Sequence, residues 1–337
     1  MRLNSFVSFF QKLGSFLRIT RSNNVKHTYC TYFDIRYLDK GLCLYDSLRK
    51  QLGDVELWVL CLDSEVRDTL KRLDLPGIRT LSLGELERAD PAFNACRNNR
   101  RLVEYYFTST PCLIRHLLGH APHLGWVTYL DSDLFFFASP APILEEMDAG
   151  DVAIIPHRFP ESKLHLEIYG KYNVGWVSFR KSRAGMRCVE WWRQRCLDWC
   201  RDVPENGKFA DQKYLDHFQE VTKKVVILSH PGANLAPWNL ANYTITKCRD
   251  HIEVDGEDLI FFHFHDCKPA GDRAFDPGLV KYGLALSEVT RDEIYMPYLR
   301  LLMEKRQIGG SSTMRFDGTG IEPAKATQEN LIEVPID

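Results

Sequence analysis

The sequence predicts an α/β protein, a mostly parallel central sheet flanked by helices in a single domain. Three observations lead there. Apolar, strand-like runs alternate with amphipathic helical stretches from residue 27 onward, the pattern of a parallel sheet with crossover helices. Asp34, Asp63 and Asp131 each follow directly on such a run, at the strand ends where open α/β sheets bind ligands. A chain of 337 residues with 45% hydrophobic content can also bury a full core.

Taken in order, residues 1–24 form an amphipathic segment. Phe6, Phe9, Phe10, Leu13, Phe16 and Leu17 share one face, with Arg2, Lys12, Arg18 and Arg21 as its cations. Gln11-Lys12 breaks the run and no small-residue cleavage site follows, so a signal peptide is not expected. A peripheral membrane contact fits this pattern, and so does packing on the domain or on a partner. His27 to Phe33 reads as a strand, Leu38 to Leu52 as a helix, Val55 to Leu62 as a strand and Ser64 to Leu73 as a second helix. Ile78 to Leu83 is a third strand. Arg97 to Leu118 is helical, with Pro111 predicting either a kink or two helices. His116, His120 and His123 lack the spacing of a metal motif and read as a surface helix end.

The central stretch is Trp126 to Leu130, an apolar strand that stops at Asp131-Ser132-Asp133, followed by a second apolar run, Leu134 to Phe137. Two carboxylates one residue apart repel each other unless a cation lies between them, and Mg²⁺ or Mn²⁺ held with substrate phosphates is a common solution. Read alone, the pair is equally a solvated turn in which Asp133 or Ser139 caps the next helix. Pro140 to Met147 is then a short helix and Asp151 to Pro156 a strand. Tyr172 to Phe179 is a strand with Asn173 and Gly175 at its start; a glycine there permits a close approach or marks a bulge. Val189, Trp192, Cys196 and Trp199 form a buried helix stripe. Asp211-Gln212 opens a further helix, where a charge in the first turn suits the helix dipole. His230 to Asn239 is a Pro- and Gly-rich loop suited to walling a pocket, and Leu259 to His263 is a strand leading to His265, Lys268 and Pro269. Thr290 and Glu293 form a capping box for a last helix to about Lys305, and residues 306–337 read as a loose tail.

The ordered series Asp131-Ser-Asp133, Asn173-Val-Gly175, Asp211-Gln212 and His263…Lys268-Pro269 resembles the GT-A glycosyltransferases, whose fold is Rossmann-like. It is most similar to the retaining galactosyltransferase and glycogenin-like branch of the nucleotide-diphospho-sugar transferases, over about residues 27–270. That family's closing motif has a glycine-containing stretch before Lys-Pro-Trp. Here the stretch is shortened, with a second histidine at 265 and Ala270 after the proline. The resemblance implies a domain over residues 25–305 that transfers a sugar from a nucleotide-sugar donor, a UDP-sugar, to a glycan, glycolipid or protein acceptor. It implies Mn²⁺ or Mg²⁺ at Asp131, Asp133 and His263, with His265 as the alternative ligand. Lys268 would meet the diphosphate, Asp34 the base and ribose, and Asn173, Gly175, Asp211 and Gln212 the donor sugar, with retention of its configuration.

Two other classes compete. A haloacid-dehalogenase-type phosphohydrolase also uses Asp-x-Asp after a strand, but expects threonine where Phe135 stands. A catalytically silent sugar-nucleotide or glycan-binding protein would use the same fold. The balance of 43 Lys+Arg against 45 Asp+Glu argues against a nucleic-acid partner. Ten scattered cysteines without Cys-x-x-Cys read as free thiols of a reducing, cytoplasmic compartment, at the inner face of a membrane if the N-terminal segment binds one.

Overall fold

The computed structural model describes residues 26–120, 124–308 and 330–335. The amphipathic segment 1–24 and His123 therefore lie outside the described residues. Strand β1 (Lys26–Phe33) leads through a short turn to helix α1 (Leu38–Leu52), then β2 (Leu57–Cys61), α2 (Ser64–Leu73), β3 (Ile78–Ser82) and α3 (Leu83–Ala89). Helix α4 (Leu102–His120) precedes β4 (Leu124–Leu130), and β5 (Leu134–Phe136) and α5 (Ala141–Met147) follow. Next come β6 (Val152–Pro156), β7 (Tyr172–Arg180), α6 (Arg183–Asp198) and β8 (Val225–Ile227). Helix α4 runs continuously through Pro111 and begins later than expected, because Cys96–Asn99 forms a separate 3₁₀ turn.

Seven strands form the central sheet in the order β3-β2-β1-β4-β7-β6-β8. Strands β3, β2, β1 and β4 are mutually parallel, and β8 is parallel to β6. Only β7 runs against its neighbours, β4 and β6. The chain winds outward from β1 through β2 and β3, then returns to add β4 on the other side of β1. This reversal makes a topological switch point at the carboxyl ends of β1 and β4, where such sheets open a crevice. Asp34 and Asp131 stand at those two ends.

Period-two alternation divides the core between the two faces of the sheet. Val127 and Tyr129 of β4, with Val177 and Phe179 of β7, pack on one side with Leu113 and Trp192. Trp126 and Leu130, with Trp176, pack on the other against Leu42, Leu48 and Phe261. Each large side chain so buried contributes about 1.5–3 kcal/mol, and Trp176 stacks on Phe261 at 5.6 Å.

The C-terminal half adds smaller sheets. Strands β9 (Ile245–Cys248), β10 (His251–Val254) and β11 (Glu257–Asp258) form an antiparallel meander, and β12 (Phe261–His263) pairs with β5. Strand β13 (Lys268–Pro269) pairs with β14 (Ala274–Asp276). A π turn, Thr290–Tyr295, leads into α7 (Met296–Arg306). The expected Thr290…Glu293 capping box is corrected here: Ser287 Oγ accepts from Thr290 N at 3.1 Å, and Glu293 turns to Lys247 at 2.6 Å. Ser287 stands one turn earlier, so it takes the capping position. The loose-tail expectation for 306–337 is corrected for its last described part. Strand β15 (Ile332–Glu333) pairs antiparallel with β14, and Ile332 and Val334 are buried in a third cluster around Phe275, Tyr295 and Tyr298. The alternation Ile332, Val334 supplies an apolar face that a solvated tail would waste.

Candidate active site

Asp131 ends β4, with its amide on Gly175 O at 3.2 Å, and Leu134 N returns to Asp131 O at 3.3 Å. The tight turn so closed sets both carboxylates, 30% and 16% exposed, at the carboxyl end of β4. Strand β5 then pairs with β12 in the register Leu134↔His263, which brings His263 beside Asp133. His263 Nε2 lies 3.0 Å from Asp133 Oδ1 and 3.7 Å from Asp131 Oδ2, and the imidazole is 3% exposed. The three side chains each offer a ligand atom within 4.8 Å of the others.

The tautomer of His263 follows from backbone donors. Gly175 N donates to Asn173 Oδ1 at 3.0 Å, so that atom is the carbonyl oxygen, and Asn173 Nδ2 donates to Gln212 Oε1 at 3.2 Å. Val174 N donates to the same Gln212 oxygen at 3.2 Å, which fixes the second amide. Asn173 Oδ1 also lies 3.3 Å from His263 Nδ1, so Nδ1 carries a proton and Nε2 faces the acids. A histidine held this way by a neighbour is oriented for metal ligation. Gly175 makes the arrangement possible, since a Cβ there would stand 2.4 Å from Asn173 Oδ1 and 2.9 Å from His263 Nδ1. Its role in this fold is to admit two side chains.

Burial opposes a charged His263, yet Asp133 beside it prevails and raises its pKa. Burial pushes Asp131 up to about 6, although His263 pulls the other way. Asp133 is also penalised by burial, but His263 and then Lys40 hold its carboxyl well below the usual range. Lys40 is a residue that sequence reasoning missed. It is buried on α1 with Nζ 3.4 Å from Cys267 O, and a lysine among the apolar positions of that helix was the available signal.

The other expected residues distribute as follows. Asp211 is buried with Oδ2 unpartnered, and makes no capping bond to the 3₁₀ turn Gln212–His217. The expected first-turn charge is thus corrected: the carboxyl points into the protein, where burial, with Asp131 nearby, pushes it up to about 7. Gln212 Nε2 donates to Tyr169 O at 3.1 Å, so its amide is spent on structure at both ends. Asp34 caps its own turn and meets Arg36 at 2.6 Å. Lys268 Nζ lies 3.0 Å from Asp266, and His265 Nε2 lies 3.4 Å from the same carboxylate. His265 thus sides with Asp266, outside the acidic pair's three-residue group. Trp238 walls both histidines, 5.0 Å from His263 and 5.4 Å from His265. His157, buried and 3.3 Å from Asn173 Nδ2, carried no signal in the sequence.

No protein-family model matches the chain. The uncharacterized protein YfnF of Bacillus subtilis (strain 168) is 33% identical over 244 residues, which cover 70% of this chain and 80% of that one. The uncharacterized protein YfnD of the same organism is 29% identical over 266 residues, covering 78% and 84%. Among solved structures, the galactosyltransferase LgtC in complex with donor and acceptor sugar analogs aligns over 80% of this chain and 100% of that chain. The TM-score is 0.50 at 16% identity, a likeness of fold.

Proposed function

We propose, for a chain that belongs to the family of the Bacillus subtilis protein YfnF and has the GT-A fold, that it is a metal-dependent glycosyltransferase acting on a nucleoside-diphosphate sugar, a UDP-sugar. The observation that carries this reading is the convergence of Asp131, Asp133 and His263 at the switch point of the sheet. Two carboxylates and one oriented imidazole suit Mn²⁺ or Mg²⁺, and a single-residue Asp-x-Asp turn leaves the remaining coordination to phosphate oxygens. When bound, the ion supplies Lewis-acid stabilisation of a departing diphosphate.

The chain's own residues do the rest. Lys268, held by Asp266, offers a fixed positive charge to the leaving oxygens, and Lys40 adds another behind Asp133. Asn173 keeps His263 in its tautomer, and Gln212 keeps Asn173. Asp34, at the end of β1, is suited to the ribose and base. Asp211 lies buried beneath the acidic pair, close enough for Asp131 to raise its pKa, and would act on the donor-sugar side from behind that group. The Asp211-Gln212 pair and the lack of a motif for an inverting base support retention, with the diphosphate taking the acceptor's proton. The acceptor is a glycan, glycolipid or protein, and residues 1–24 would serve a lipid-linked one by peripheral contact. No described helix is long and apolar enough to cross a membrane.

The test is release of UDP from UDP-sugars with Mn²⁺. Turnover should vanish with EDTA and in Asp131→Asn and Asp133→Asn proteins that remain folded. Full Mn²⁺-dependent turnover in both variants would sink the reading. Tight binding without any turnover would favour the silent sugar-nucleotide binder instead.

A further inference from the structure

The meander β9-β10-β11 lies outside the acidic pair and carries chemistry of its own. Cys248 and His251 are direct cross-strand partners, Glu253 is two residues on from His251, and Asp258 pairs with Glu253. Opposed and alternate residues share a face, so these four side chains stand together on one side of the sheet. The other side carries Ile252 and Val254, both buried in the core. Backbone geometry fixes this register: Arg249 in the first turn has φ +46°, and the Asp255-Gly256 turn has φ +52° and +87°. An Asp-Gly pair in that conformation is a strong two-residue hairpin turn.

We propose that Cys248, His251 and Glu253 form a second divalent-cation site, specific for a zinc-class ion. Thiolate, imidazole and carboxylate are the donors of zinc sites, whereas the Asp131 group has no sulfur and suits harder ions. One ligand atom from each of the three already lies within 4.8 Å of the others. His251 Nε2 is 3.1 Å from Glu253 Oε1, close to the edge of roughly 3.4 Å that zinc–nitrogen and zinc–oxygen bond lengths imply for a tetrahedron. Asp258 Oδ1, 3.7 Å from His251 Nε2, is the fourth donor on that face. The face borders an open hollow of about 400 Å³, also lined by His230 and Glu257, through which an ion can enter. An ion here would staple three short strands that bury little of their own surface, the role of structural metals in small units.

The cysteine inventory gives the proposal a specific readout. Nine of the ten cysteines are buried, and Cys248 alone is not. Titrating the full-length protein with Co²⁺ should therefore produce one equivalent of a sulfur-to-cobalt charge-transfer band with tetrahedral visible bands. Zn²⁺ should displace it, Cys248→Ser should abolish it, and Glu253→Gln should weaken Co²⁺ binding at least tenfold. Asp133→Asn, which disables the other group, should leave the band intact, so this site stands or falls apart from the glycosyltransferase reading. Absence of the band in the wild-type protein, or its persistence in Cys248→Ser, would overturn the proposal. As a second measure, Zn²⁺ should slow alkylation of Cys248 by iodoacetamide at least tenfold; an unchanged rate would also overturn it.

Discussion

Asp211 places a carboxyl in the interior with one oxygen lacking any hydrogen-bond partner, an arrangement that costs stability whenever the group is charged. Burial pushes its pKa up to about 7 from the ordinary 3.8. Between those values the folded protein holds a proton that the unfolded chain has released, so this residue's contribution falls as pH rises. Asp211→Asn should therefore stabilise the protein by nothing near pH 4 and by on the order of 4 kcal/mol above pH 7. Urea unfolding at pH 5 and pH 8 measures the difference; an equal gain at both would contradict a titrating origin. Gly175 is the steric counterpart. Its alanine variant would crowd Asn173 Oδ1 at 2.4 Å and the His263 ring at 2.9–3.0 Å. Gly175→Ala should lose about 1–3 kcal/mol by overpacking and bind Mn²⁺ more weakly, because the displaced atoms are those that aim Nε2. Calorimetric unfolding together with Mn²⁺ titration would detect both; unchanged Mn²⁺ affinity would disprove the orienting role. Asp131 and His263 were legible in the sequence because each closes an apolar run, and Asp133 because it stands between two such runs. Lys40 carried only the signal of a lysine among the apolar positions of its helix, and His157, beside the strand end Pro156, carried none.

At the scale of elements, the last described strand makes the sharpest claim. Ile332 is 1% exposed and sits with Phe275 on the third core cluster, although it follows a long stretch without periodicity. Ile332→Ala should cost about 2–5 kcal/mol, as buried aliphatic truncations do, and thermal unfolding would register it as a clear drop in Tm. An unchanged Tm would mean that the strand is dispensable. The sheet and its first helices were readable from pattern: β1, α1 and α2 fall within a residue of expectation because their apolar periods are long and unbroken. The meander was not, because its strands are two to four residues long and half exposed, too short for alternation to register. Asp255-Gly256 was its one local signal. The start of the last helix was also misread, since Thr290 and Glu293 have the spacing of a capping box but Ser287 has the position.

At the scale of the whole molecule, the site is assembled from segments that meet only when the sheet is complete. Asn173 reaches His263 across 90 residues, and Lys40 reaches Cys267 across 227. A ligand that binds these segments together binds the folded chain and not the unfolded one, so it must stabilise the entire domain. At a hundredfold excess over its dissociation constant the gain is about 2.7 kcal/mol, which for a chain of this size is a rise in Tm of roughly 4 °C. We expect UDP with Mn²⁺ to give that rise, and UDP alone or Mn²⁺ alone to give far less, because diphosphate and carboxylates repel without the cation. Asp133→Asn should abolish the joint effect. The comparison belongs in a Cys248→Ser background, so that a cation on the meander adds nothing to the shift. If UDP alone stabilised the protein as much as UDP with Mn²⁺, the acidic pair would not be holding an ion against the diphosphate, and the metal-dependent reading would fall.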